Sequence, residues 1–76
     1  MPSSVIKQHR YDADHARLTI TFTTDRVYEY YAVPKETYEA FRNAFAKGTF
    51  FNTKIRDAYP FKDVTPPGTQ LKRRAL

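Results

Sequence analysis

Residues 18–22, Leu-Thr-Ile-Thr-Phe, alternate apolar and hydroxylated side chains with a strict period of two, and no other segment limits the fold as tightly. Successive side chains of a strand point to opposite faces. Leu18, Ile20 and Phe22 therefore share a side that must be covered, while Thr19, Thr21 and Thr23 share one that can stay wet. A second run, Val27-Tyr28-Glu29-Tyr30-Tyr31-Ala32-Val33, is rich in aromatic and β-branched residues. The tight connection around Thr24-Asp25 makes the two runs an antiparallel hairpin. Upstream, residues 4–11 read as a further strand, ended by the turn-forming Asp12-Ala13-Asp14-His15. The expectation is a three-stranded antiparallel meander.

Register decides which way Tyr28 and Tyr30 face. With a three-residue loop, Thr23-Thr24-Asp25, and Asp25 in the left-handed region that Asp tolerates, Phe22 pairs with Arg26, Ile20 with Tyr28 and Leu18 with Tyr30. Both tyrosines then turn into the core, with their hydroxyls at the rim. A two-residue loop slips the register by one and turns them outward. The first arrangement is favoured because the second sets Glu29 against Ile20 on the apolar face.

Pro34 stops the sheet and suits the first turn of a helix running through Ala46, with Tyr38, Phe41 and Phe45 at i, i+3 and i+7 on one face. Gly48 is the expected stop. A second helix is expected from about Thr49 to Ala58, with Phe51, Ile55 and Tyr59 along one side, closed by Pro60. The predicted fold is therefore α+β, a meander followed by two helices packed on one sheet face. After Phe61 the periodicity is lost, and residues 62–76 read as a flexible basic tail bearing Lys72, Arg73 and Arg74.

At 76 residues there is room for one core, and a chain this short buries only about 60% of the surface its unfolded form exposes. Aromatic residues, 16% of the chain, compensate through their large contact area. Cysteine is absent, which removes disulfides, thiolate nucleophiles and cysteine metal sites from consideration. There is neither a signal-peptide pattern nor the ~20-residue apolar run that a bilayer span requires, so a cytoplasmic protein without membrane contact is expected. The formal charge of +5 favours an acidic partner.

Three stretches together resemble the KTSC domain, named for its occurrence at the C-terminus of some lysyl-tRNA synthetases and found also as a stand-alone protein. They are Ser3-Ser4-Val5-Ile6 with Tyr11-Asp12; Val27 to Pro34, with Tyr28 and Tyr30 forming a central Tyr-x-Tyr; and Lys47-Gly48-Thr49-Phe50-Phe51-Asn52 with Ile55-Arg56 and Tyr59. The resemblance spans residues 3–61 and implies a compact domain for which RNA binding has been suggested. His9 and Arg10 depart from it, standing where an apolar and a small residue are usual.

For an anionic ligand, Lys47, Gly48, Asn52, Lys54 and Arg56 form the main cluster. Gly48 and Thr49 precede a helix whose first N–H groups lack partners, an arrangement that attracts phosphate beside a lysine. The competing reading makes Gly48 a cap, Asn52 a backbone partner and the cations a solvated face. Tyr31 shares the wet face with Glu29, Thr19 and Thr21 and offers a ring for stacking unpaired bases. Tyr28, Tyr30 and Tyr59 contribute rim hydroxyls, and Lys72, Arg73 and Arg74 add long-range attraction to polyanions. His9 and His15, with Asp12 and Asp14, fall short of the three or four convergent ligands of a metal site. No phosphate loop, His-Glu-x-x-His or nucleophile elbow is present.

The sequence thus predicts a small non-enzymatic binding module without metal or cofactor, with RNA or another nucleic acid as partner. Two alternatives stand beside it. One is a homo-oligomer that captures a phosphate-bearing or nucleotide ligand, and the other is a protein-interaction module using the outer sheet face or the edge strand.

Overall fold

In the computed structural model, which describes residues 5–69, the chain runs β1 (Ile6–Asp12), β2 (Arg17–Phe22), β3 (Val27–Tyr30), α1 (Lys35–Arg42), α2 (Lys47–Phe50) and β4 (Phe61–Asp63). The strands form one antiparallel sheet in the order β1-β2-β3-β4. The α+β class and the two helices on one sheet face hold, but the sheet has four strands where three were expected.

The hairpin between β2 and β3 has the three-residue loop. Asp25 adopts φ 74, its N–H donates to the Phe22 carbonyl at 2.8 Å, and the Phe22 N–H donates to the Arg26 carbonyl at 2.9 Å. Ile20 accordingly pairs with Tyr28 and Leu18 with Tyr30, so Tyr28 and Tyr30 lie on the covered face. Leu18, Ile20 and Tyr30 are buried there with Val33, Phe41, Phe51 and Ile55.

In β1 the inward residues are Ile6, His9 and Tyr11, and the gap of three between the first two breaks the period of two. A bulge between Ile6 and Gln8 absorbs the extra residue, so that Ile6 pairs with Phe22 and His9 with Ile20 on the same side. Tyr11 stacks on Tyr38 of α1 at 4.6 Å between centroids and donates its hydroxyl proton to the Val33 carbonyl at 2.6 Å. The chain turns toward α1 through Ala32, at φ 59, and the Val33 N–H is taken up by the Ala16 carbonyl at 2.9 Å.

The helices differ from expectation at the joint. α1 ends at Arg42, with Asn43 in a non-helical conformation, because Asn is a poor helix former and its N–H closes the last turn on Glu39. Phe45 consequently leaves the helix and is 94% exposed, and Phe50 takes the place beside Phe41 at 6.2 Å. Gly48 lies inside α2, so it does not terminate α1. α2 widens directly into a π-helical turn, Phe51–Ile55, in which the Arg56 N–H reaches the Phe51 carbonyl at 2.8 Å. Phe51 and Ile55 face the core from this turn, and Asn52 and Arg56 stand beside them in the solvent.

β4 comes from Phe61, Lys62 and Asp63, pairing with Tyr30, Glu29 and Tyr28. Lys62 and Asp63, read from sequence as tail, thus belong to the sheet. The link continues beyond the strand: the Val64 N–H donates to the Val27 carbonyl at 2.8 Å, and the Val27 N–H to Thr65 Oγ1 at 2.9 Å. Lys72, Arg73 and Arg74 lie outside the described residues.

The two phenylalanines of the helical region have opposite surroundings. Phe41→Ala is expected to lower the unfolding free energy by about 3–5 kcal/mol, since it empties a fully buried site, whereas Phe45→Ala changes it by less than about 0.5 kcal/mol. Chemical denaturation of both variants checks this, and equal losses would refute the described end of α1.

Candidate functional site

Where the β2–β3 hairpin meets the π-helical turn, the surface opens into a groove of about 360 Å³, lined by Val5, Phe22, Thr23, Thr24, Arg26, Tyr28, Tyr30, Phe51, Asn52 and Arg56. Two of these residues are cationic and none is acidic. Its floor follows from the hairpin register, which sets Phe22, Tyr28 and Tyr30 on one face. Phe22 meets Tyr28 edge-on at 5.5 Å and Phe51 at 5.5 Å, and Phe51 meets Tyr30 edge-on at 5.4 Å. Each ring is held by a neighbour in the favoured T-shaped geometry, so the floor is set before any ligand arrives. On the far side of Tyr28, Phe61 stacks at 5.3 Å with its own outer surface half exposed.

Polar groups rise from this floor. Among the described residues, no hydrogen bond engages the hydroxyls of Tyr28 or Tyr30, the Asn52 amide or the Arg56 guanidinium. Burial, with smaller contributions from Tyr28 and Asp57 that outlast the opposing pull of Arg56, pushes the Tyr30 phenol up to about 12. It therefore keeps its proton in neutral water and can donate. Arg26 is already committed, with Nη1 at 3.2 Å from Asp63 Oδ2. Asn52 and Arg56, four apart on one helical ridge, are the groove's uncommitted polar side chains from the helical side.

The remaining sequence-derived candidates lie elsewhere. Lys47 turns back to the Ala44 carbonyl, 3.4 Å from Nζ, and stands near His9 rather than the groove. Gly48 packs beneath the start of β1, where a Cβ would meet Val5 Cγ2 at 3.6 Å. Lys54 is exposed outside the groove lining. The Tyr59 hydroxyl is paired with Thr37 Oγ1 at 3.1 Å. Tyr31 donates its hydroxyl to Glu29 at 2.8 Å, and the Arg17 guanidinium lies 5.8 Å from its ring centre, so this ring is engaged from within the domain. The hydrogen bond to Glu29 raises the Tyr31 phenol above its ordinary value.

Sequence reasoning missed Phe22, Thr23, Thr24, Arg26 and Phe51 as parts of a site, having treated the rings as core and the loop as connection. The pairing of Phe22 with Arg26 across the loop was the available signal, because it stations a cation over an aromatic floor. Among the described residues, no group of three or more His, Asp or Glu side chains converges as a metal site would require.

Residues 2–59 match the family model of the KTSC domain. A lysine–tRNA ligase from Nostoc punctiforme is 40% identical over 62 residues, and one from Trichormus variabilis is 34% identical over the same length. Each match covers 82% of this chain but only 11% of the ligase. The crystal structure of a KTSC domain protein from Yersinia pestis superposes with a TM-score of 0.78 at 31% identity, covering 84% of this chain and 90% of that one. β4 lies past the end of the family match.

His9 bears a measurable consequence of its position. Its ring is edge-on to Tyr38 at 5.7 Å and to Phe41 at 5.1 Å, with Nδ1 at 3.1 Å from the Tyr38 hydroxyl. Burial, then the positive charges of Lys47 and Arg42, lower its pKa below the ordinary 6.5. Between the two values the unfolded chain holds more protons than the folded one, so stability falls as pH drops through 6.5 and levels off below the folded pKa. An NMR titration should place the His9 midpoint below 6.5, and His9→Phe should remove its share of the slope. A midpoint at or above 6.5 would contradict the described packing.

Proposed function

The chain belongs to the KTSC domain family, and on that premise we propose that it acts as a small RNA-binding module rather than as an enzyme. The observation that carries this reading is the groove, in which two arginines and no carboxylate border an aromatic floor. RNA presents anionic phosphates together with flat apolar rings, and both requirements are present side by side. The ligases that contain similar segments are named for a tRNA substrate, which agrees with RNA as the partner. A cytoplasmic setting goes with that reading, and no described helix is long and apolar enough to cross a membrane.

Cationic side chains outside the groove extend the attraction. Lys54 and Arg56 are exposed with no ion pair among the described residues, so neither must break an internal contact to reach a phosphate. Lys72, Arg73 and Arg74 add charge in the same chain. Fluorescence anisotropy with a labelled single-stranded RNA should show affinity falling steeply as salt rises, with a log–log slope set by the number of phosphates contacted. Replacing Lys54 and Arg56 together by Ala should weaken binding and reduce that slope by about 2, one for each lost contact. Absence of binding at micromolar protein in low salt would overturn the reading.

A further inference from the structure

The groove admits a more specific reading, which rests on RNA being the partner. We propose that it receives one unpaired base of an RNA strand, with Arg56 holding an adjacent phosphate and Asn52 and the hydroxyls of Tyr28 and Tyr30 meeting the edge of the base.

Two features of the groove select this ligand chemistry. A bare phosphate seated on Phe22, Tyr28 and Phe51 would lose water and gain only ring surface there, so the anion belongs at the rim and an apolar group belongs on the floor. An aliphatic chain would satisfy the floor but would cover two phenolic hydroxyls and an amide that have no internal partner, leaving each without a hydrogen bond at a cost of about 1–3 kcal/mol. A heteroaromatic ring answers both demands, since its face is apolar and its edge carries donors and acceptors.

Strandedness follows from the same geometry. In a duplex each base has its faces covered by neighbours and its pairing edge occupied, so neither is available to a concave site. At about 360 Å³ the groove is at the low end for small-molecule pockets, enough for a single nucleotide and too narrow for paired strands. Arg56 holds the phosphate rather than Arg26 because Arg26 is tied to Asp63 at 3.2 Å, while Arg56 has no ion pair among the described residues. Its position four residues after Asn52 lets backbone and base of one nucleotide be gripped from the same ridge.

The test compares a single-stranded RNA hexamer, a blunt duplex of the same sequence and AMP, using anisotropy and competition with the full chain. Asn52→Ala, Tyr28→Phe and Arg56→Ala serve as variants; the first and third alter exposed side chains, and the second keeps its ring, so the fold is preserved. The single strand should bind at least about tenfold more tightly than the duplex, and Arg56→Ala should cost about tenfold. Asn52→Ala and Tyr28→Phe should each weaken the single strand and leave the residual duplex binding unchanged. Equal affinity for both forms, with Asn52→Ala and Tyr28→Phe silent, would overturn the groove assignment while leaving RNA binding standing. AMP competing as well as the hexamer would show that a free nucleotide suffices and overturn the strand as the source. Failure of every RNA to bind would overturn this inference together with the broader one.

Discussion

The structure depends first on the turn that joins β2 to β3. Three residues and one left-handed Asp25 fix the pairing of Ile20 with Tyr28 and of Leu18 with Tyr30. A strand has only two faces, so this single choice sends the tyrosines inward and leaves Thr19, Thr21 and Glu29 on the outside. Every later feature uses the result. Phe51 can pack against Tyr30 only because that ring faces the helices, and the groove has an aromatic floor only because Phe22 and Tyr28 end on the same side of the hairpin.

Those elements whose information is local were legible in the sequence. The alternation at Leu18–Phe22, the tolerance of Asp25 for positive φ and the conflict of Glu29 with Ile20 together specified the register that the structure has. What depended on distant partners was not. Phe61-Lys62-Asp63 has no apolar pattern of its own, and it becomes a strand because β3 offers an unpaired edge whose backbone groups need partners. The bulge near Lys7 is a compromise between the spacing of Ile6 and His9 and the fixed period of β2. Ala16 and Ala32 take positive φ with no chemical signature, held there by the bond between the Val33 N–H and the Ala16 carbonyl. The candidate site was legible in part for the same reason. Asn52, Arg56, Tyr28 and Tyr30 were singled out, but their meeting in one groove required the helix joint to sit where Phe45 is expelled and Phe50 enters.

A small domain has few rings to spare, and the division among them is instructive. Phe41 is wholly enclosed, Tyr30 and Phe51 are enclosed yet present an edge to the groove, and Phe22 and Tyr28 remain partly open. The same side chains therefore hold the sheet to the helices and shape the recess. Loss of one ring would damage both, which is why hydroxyl and amide deletions discriminate binding from folding better than ring deletions do.

The two sides of the sheet carry similar residue types but differ in what they leave unsatisfied. On the outer face Tyr31 donates to Glu29, Arg17 lies over the Tyr31 ring and approaches Glu29 at 3.9 Å, and the aromatic, cation and carboxylate complete one another. In the groove, aromatics and arginines occur without a lining carboxylate, and hydroxyls occur without acceptors. A ligand at the outer face would have to displace internal partners, losing roughly what it gained, because each net hydrogen bond is worth only about 1 kcal/mol. A ligand in the groove supplies partners that the chain lacks. The incomplete side, rather than the more exposed one, is where binding free energy remains available.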